Sequence, residues 1–406
     1  MIDMTFNDPP QDTISSLAGK TILQVIPNLE LGGAERTAVD IAGGVVEAGG
    51  RALVASAGGR LVSDLEALGG EHITLPLDAK LRLDRFWSNR TKLSVLCRER
   101  DVDLVHARSR APAFPALQAA RALDLPFLTT YHGIYSEENA LKRWYNSVMV
   151  AGDAVIANSH YTADIVRKRY ATASERIHVI HRGTDMARFS PERVTQNQIN
   201  ALRTAWDLPR DRLVVLLLAR LTEWKGHLHA IEALAKLKTA MEEPPLFLFV
   251  GGAQSEGYHK RLNEAIAAHD LMDDVIIKGA TDDVPTALSL ADVVIAPSMK
   301  PEAFGRSVAE ASAMERPVIA FDHGGAIETI AVSPEVPDDQ RTGFRVPVGD
   351  STALAKTIEA ALRLSDGERR EMGRRGRRHV AAHFSKHQMV SKTIALYRML
   401  TNGKTD

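Results

Sequence analysis

Residues 213–226 read Leu-Val-Val-Leu-Leu-Leu-Ala-Arg-Leu-Thr-Glu-Trp-Lys-Gly. From Leu213 to Ala219 every position is apolar. A strand with one wet face alternates apolar and polar residues. An uninterrupted run predicts burial on both faces, as in a parallel sheet covered by helices on each side. The run is far shorter than the ~18 apolar residues that span a bilayer. It ends at Arg220, and a helix is expected after Lys225 and Gly226. Strand, polar turn and helix in succession form the repeating unit of an α/β fold.

The same unit recurs in both directions from this stretch. Upstream, strand-like runs are Thr21–Ile26, Arg51–Ala55, His72–Leu77, Val102–Ala107, Phe127–Tyr131, Ala154–Ala157 and Ile177–Ile180. Segments with helical spacing, such as Ala34–Ala48 and Pro112–Ala122, lie between them. Residues 183–210 break the pattern with Ser190-Pro191, a polar stretch and Leu208-Pro209, and read as a linker. The alternation resumes with Leu213–Leu218, Leu246–Val250, Val275–Ile277, Val293–Ala296 and Val318–Phe321. The expected fold class is α/β, with two Rossmann-like domains facing a cleft. Ligands of such open sheets bind beyond the carboxyl ends of the strands. The expected limits are a loose leader at 1–19, a first domain at 20–188 and a second at 189–384. A C-terminal helical segment at 385–406 is expected to cross back to the first domain.

Composition narrows the function classes. The 406 residues are 45% hydrophobic and 25% charged, with Gly 28 and Pro 18, as in an ordinary globular protein. Lys+Arg (50) and Asp+Glu (51) nearly cancel, which argues against nucleic acid as a partner. The single cysteine, Cys97, excludes a disulfide framework and a cysteine-built zinc site. Asp3, Asp8, Pro9 and Pro10 stand where a signal peptide needs an apolar core. A cytoplasmic location is expected.

Three motifs carry chemistry. Asn28-Leu-Glu-Leu-Gly32-Gly33-Ala-Glu-Arg36 follows the first strand and opens a helix. Glycines there let a ligand approach the backbone, and the helix N-terminus offers N–H groups to an anion. A tight turn is the equally weighted bland reading. Ala219-Arg220-Leu-Thr-Glu-Trp-Lys225-Gly226 places two cations at a strand end, where they could hold a diphosphate. Pro301-Glu302-Ala-Phe304-Gly305-Arg306-Ser-Val-Ala-Glu310 is the most specific. Eight helical residues span ~12 Å, so Glu302 and Glu310 would grip opposite ends of an elongated ligand rather than one atom. Carboxylates accept hydrogen bonds from vicinal hydroxyls, which sugars and ribose supply. Bland readings remain beside these: solvated cations, and carboxylates at a helix start and on a surface.

The glutamate spacing resembles the E-x7-E pattern of the large retaining glycosyltransferase family four, of GT-B fold. The resemblance runs over nearly the whole chain and keeps the motif order. The Gly32-Gly33 loop resembles the family's N-domain phosphate loop. His178-Val-Ile-His-Arg-Gly-Thr-Asp185 with Phe189-Ser-Pro191 resembles the segment passing between its domains. Arg220 and Trp224-Lys225-Gly226 resemble its diphosphate clamp, and Pro317-Val-Ile-Ala-Phe-Asp-His-Gly-Gly325 is typical of it. Arg182 departs from the family, which often has Asn there; the departure is expected to touch neither donor nor chemistry.

The resemblance implies roles. Arg220 and Lys225 would bind the donor diphosphate and stabilise the leaving group. Glu310 would bind ribose. Glu302 and the backbone at Phe304, Gly305 and Arg306 would hold the sugar hydroxyls, and Gly32 and Gly33 complete the donor-binding set. His132, in Thr130-Tyr-His-Gly133, would lie near the reacting sugar; on its own it reads as a hydrogen-bonded histidine at a strand end. The candidate catalytic residues are therefore Arg220, Lys225, Glu302 and His132. The expected activity is a retaining, metal-independent hexosyl transfer from a UDP- or GDP-linked sugar, with no cofactor and with domain closure over the donor. The acceptor would be a glycan or lipid-linked intermediate of lipopolysaccharide or exopolysaccharide synthesis. The rival readings are a sugar-nucleotide epimerase of the same architecture and a non-enzymatic sugar-nucleotide binder.

Residues 80–110 hold nine basic residues (Lys80, Arg82, Arg85, Arg90, Lys92, Arg98, Arg100, Arg108, Arg110) against four acidic ones, with Phe86 and Trp87 among them. Leu141-Lys-Arg-Trp-Tyr145 is a second basic and aromatic stretch. Both suit an anionic membrane surface on the cytoplasmic side, or a charged acceptor; a solvated helix face is the bland alternative. Asp101-Val102-Asp103 has the form of a metal-binding D-x-D motif but is read as a strand-start turn. Asp282-Asp283 is read as a loop before a short helix.

Overall fold

Runs with no polar face have to be covered on both sides, and both sheets of this chain satisfy that requirement. A computed structural model describes residues 16–30, 32–78, 83–135, 139–170 and 174–403, and at 83–85 the backbone alone. The first fifteen residues of the expected leader fall outside the described residues, as do Lys80, Arg82 and the side chain of Arg85. The chain divides into two compact units, one of Met1–Gly183 with Lys386–Asp406 and one of Thr184–Ser385.

The first unit holds β1 (Thr21–Val25), β2 (Arg51–Ser56), β3 (Glu71–Thr74), β4 (Leu104–Ala107), β5 (Phe127–Tyr131), β6 (Ala154–Ala157) and β7 (Ile177–Val179). All pairings are parallel, in the order β3-β2-β1-β4-β5-β6-β7, with Leu23 opposite Leu53 and Val105. Neighbouring residues serve opposite faces. Leu23, Val25, Phe127 and Tyr131 enter one hydrophobic cluster, while Ile22, Leu128 and Ile156 enter another. The helix Lys386–Asn402 supplies Val390, Ile394 and Tyr397 to the second cluster. It lies against the helix Gly33–Glu47 so closely that a Cβ on Gly44 would meet Val390 Cγ1 at 2.2 Å.

The second unit repeats the arrangement with β8 (Val214–Leu218), β9 (Leu246–Val250), β10 (Val275–Lys278), β11 (Val293–Ala296), β12 (Val318–Phe321) and β13 (Phe344–Val346). The order is β10-β9-β8-β11-β12-β13, again parallel throughout. In each sheet the order reverses beside its first strand, between β1 and β4 and between β8 and β11. Loops diverge there at the carboxyl ends, leaving a crevice for ligands.

Several expectations are corrected. Residues 183–210 are not an open linker but contain the helix Gln196–Ala205, started by a Thr195–Gln198 capping box. Its apolar positions are few, but Ile199, Leu202 and Trp206 pack against the unit's core. Strand β13 went unpredicted because three residues carry no periodicity. Strand β3 stops at Thr74 rather than Leu77, and β4 starts at Leu104 rather than Val102. The β4 boundary has a cause. Asp101 is left-handed, at φ 50°, and the Asp103 carboxylate accepts from the Thr21 N–H at 2.8 Å and pairs with Lys20 at 3.1 Å. The D-x-D triplet is therefore a strand-start turn, as read. Asp283 caps the short helix Val284–Ser289 by accepting from the Thr286 N–H. Among the described residues no helix is long and apolar enough to cross a membrane.

Candidate functional site

In the second unit the loops after β8, β11 and β12 meet at the crevice. The first two are clasped together: the Met299 N–H donates to the Trp224 carbonyl at 2.7 Å. Gly226 is left-handed at φ 79°, and a Cβ there would lie 1.8 Å from the Pro297 oxygen. Only glycine permits that approach, and it carries Lys225 across to the β11 loop. Lys225 Nζ reaches Glu302 Oε1 at 2.6 Å, and Ser298 Oγ donates to the same oxygen at 2.6 Å. The ammonium also stands 4.3 Å from the centre of the Trp224 ring. The Lys225 and Glu302 side chains are 13% and 20% exposed, so solvent screens their attraction little.

The β12 loop fixes Glu302 from the other side. Its carbonyl accepts from the Gly325 N–H at 2.7 Å. Gly324, at φ 62°, would place a Cβ only 2.6 Å from that carbonyl oxygen. His323 Nε2 donates to the Ser298 carbonyl at 2.6 Å, which sets the ring's tautomer, since a carbonyl can only accept. Ser298, Glu302, Gly305 and His323 line a cavity of ≈ 10 Å³.

The other candidates of this unit are distributed around that centre. Phe304 is buried, with its ring edge-on to Phe384 at 5.6 Å. Gly305 caps the helix Arg306–Ala313. Glu310, one turn into that helix, pairs with Arg306 at 2.8 Å rather than with a clamp residue. Arg220 leaves the end of β8 exposed to solvent, with no carboxylate partner among the described residues. The structure thus joins Lys225 to Glu302 and Arg306 to Glu310. Ser298, His323 and the Trp224 ring were given no role from sequence. Ser298 lies outside the quoted motifs, and His323 lay inside one where nothing set it apart.

In the first unit Gly32 is the N-cap of the helix Gly33–Glu47, without a side-chain cap. The Glu35 carboxylate folds over it, where a Cβ on Gly32 would lie 1.9 Å from Oε2. His132 follows β5, its carbonyl accepting from Asn158 Nδ2 at 3.0 Å. Its ring Nε2 is buried without a partner. Burial first, then the charges of Arg108 and Arg182, push His132 well below the usual histidine range, so its ring is neutral near pH 7. Behind it, His106 is bracketed by Tyr397 Oη at 2.6 Å and Thr130 Oγ1 at 2.7 Å. In the basic and aromatic stretches, Trp87, Leu141 and Trp144 are 58%, 71% and 57% exposed.

Comparison with known proteins places this geometry. Residues 31–188 match the model of Glycosyltransferase Family 4, and residues 198–379 match that of Glycosyl transferases group 1. A glycosyltransferase of Rickettsia africae, known from its crystal structure, is 32% identical. The match covers 95% of this chain and 99% of that one, with a TM-score of 0.85. The Anabaena protein HepE, crystallised with UDP and glucose, is 24% identical, with a TM-score of 0.78 over 93% of this chain and 99% of its own. The putative colanic acid biosynthesis glycosyltransferase WcaL of Escherichia coli is 28% identical, over 73% of this chain and 69% of its own length. Some curated relatives are longer: the chain spans 55% and 52% of two of them. With both halves matched by family models and a full-length structural counterpart, the chain belongs to glycosyltransferase family four and has its two-unit α/β architecture, GT-B.

Proposed function

We propose that the protein transfers a hexose from a nucleotide-diphosphate sugar to a glycan or lipid-linked acceptor of the cell envelope, with retention at the anomeric carbon and without a metal. The observation that carries this reading is the Lys225–Glu302 pair held at 2.6 Å at the sheet's crevice, with Arg220 leaving the same strand end. When the anomeric C–O bond breaks, positive charge grows on the sugar and negative charge on the diphosphate. Cations already fixed beside the diphosphate favour that charge separation. Arg220 and Lys225 take this role, and it requires no metal. Donor binding draws Lys225 toward the diphosphate, freeing Glu302 and Ser298 for sugar hydroxyls. Glu310 takes the ribose hydroxyls, with Arg306 as its present partner. The backbone N–H groups at Phe304, Gly305 and Arg306 complete the sugar contacts. HepE's complex with UDP and glucose supports a UDP-linked donor, and the name of WcaL supports an envelope-glycan acceptor.

The test is incubation with a UDP- or GDP-hexose, with and without a glycan acceptor and in the presence of EDTA. Transfer that needs acceptor, survives EDTA and keeps the donor's anomeric configuration, read by NMR of the product, is expected. Conversion of the donor without acceptor would mark an epimerase, and binding with no conversion a sugar-nucleotide carrier.

A further inference from the structure

The first unit buries a positive charge with no carboxylate in contact with it. Arg108, just past β4, is 2% exposed. Its Nη1 donates to Gln24 Oε1 at 2.9 Å, and its Nε is buried without a partner. Among the described residues no carboxylate lies within 4.0 Å of the guanidinium; Asp40 and Glu35 act on it from farther away. An unpaired buried cation costs folding free energy heavily, and a counter-anion offsets that cost. Beside it is a cavity of ≈ 20 Å³ whose polar lining is Thr37, Arg108, Thr130, His132, Asn158, Arg182 and Thr393, alongside four apolar side chains. Two guanidinium groups, an amide and three hydroxyls line this space, and no acidic side chain does. The imidazole of His132 supplies a further unpartnered nitrogen. Guanidinium forks match the planar oxygens of a carboxylate and the oxygens of a phosphate.

We infer that this cavity is an anion subsite of the acceptor: the sugar or lipid carrier that receives the hexose presents an oxyanion, phosphate or carboxylate, to Arg108 and Arg182. The inference rests on the transferase reading and deepens it. Arg182, expected to serve neither donor nor chemistry, thereby acquires a role toward the acceptor.

The experiment measures binding by calorimetry to the full chain, using glucose 6-phosphate, glucuronate, inorganic phosphate and neutral glucose as probes. A Lys225→Ala background removes the clamp as a competing anion site. At least one of the two charged sugars is expected to bind parent and Lys225→Ala alike, and more than tenfold more weakly in Arg182→Gln. The preferred sugar separates a phosphate from a carboxylate. Arg108→Gln is expected to lose the same binding without lowering the melting temperature, because it removes an unpaired charge. Should that variant fail to fold, Arg182→Gln carries the test. Binding unaffected by Arg182→Gln, binding lost in Lys225→Ala, binding of inorganic phosphate alone, or no preference over glucose would each overturn the subsite. Donor turnover is measured separately, so a failure here is distinguishable from failure of the transferase reading.

Discussion

At the scale of the residue, the site depends on a few close approaches rather than on the charged groups alone. Lys225 meets Glu302 because Gly226 turns left-handed against the Pro297 carbonyl. Gly226→Ala should therefore reduce stability by about 1–3 kcal/mol and cut turnover more than it weakens folding. Denaturant midpoints and kcat measured together check this; unchanged turnover would mean that the clasp does not position Lys225. Next along the chain is His227, buried with its ring edge-on to Phe249 at 5.3 Å. Burial lowers it from 6.5 to about 4, and the Lys225 charge adds to the effect. The unfolded chain thus takes up a proton below pH 6.5 that the folded protein refuses until about pH 4. Stability should fall as pH drops through that window, by up to about 3 kcal/mol from this group. His106 and His132 shift in the same direction. Urea unfolding at stepped pH checks the prediction: His227→Phe should flatten the slope, and a slope equal to the parent's would contradict it. The Glu302–Glu310 spacing was legible in sequence. The separate partners of the two carboxylates, Lys225 and Arg306, were not, because motif spacing fixes positions along the chain and not side-chain pairings.

At the scale of the element, the strands were the easiest to read. Consecutive apolar residues such as Leu246–Val250 and Val293–Ala296 have one physical solution, burial on both faces, and they sit where the pattern put them. Elements with few apolar residues escaped. The helix Gln196–Ala205 buries only an edge of Ile199, Leu202 and Trp206, and its polar composition read as a linker. The amphipathic helix Ala140–Ser147 presents Leu141 and Trp144 to solvent beside Lys142 and Arg143. Basic and aromatic residues so mixed are suited to an anionic lipid surface. A Leu141→Ser/Trp144→Ser double variant should bind anionic vesicles several-fold more weakly than the parent in a sedimentation assay. Equal sedimentation would remove the membrane proposal.

At the scale of the whole molecule, the two units repeat one topology and differ in charge chemistry at the strand ends. The second unit pairs its cation with a carboxylate, Lys225 with Glu302, in a site suited to holding both a diphosphate and hydroxyls. The first leaves Arg108 without a contacting carboxylate beside His132 and Arg182, in a site suited to a partner that brings its own negative charge. Motif order revealed the first of these in the sequence. The second was hidden, because residues 108, 132 and 182 come from three separate strand ends and only the fold brings them together. The central claim is that Lys225 and Glu302 divide the donor between them, diphosphate to one and sugar to the other. Calorimetric titration of UDP and of UDP-glucose into parent, Lys225→Ala and Glu302→Gln tests it most directly, with GDP and GDP-mannose as the parallel pair. Lys225→Ala should weaken both ligands of the preferred pair by tenfold or more. Glu302→Gln, which releases Lys225, should leave the free diphosphate at least as tight as in the parent while the sugar nucleotide loses its added affinity. Equal losses for both ligands in both variants, or no loss in Lys225→Ala, would contradict the account.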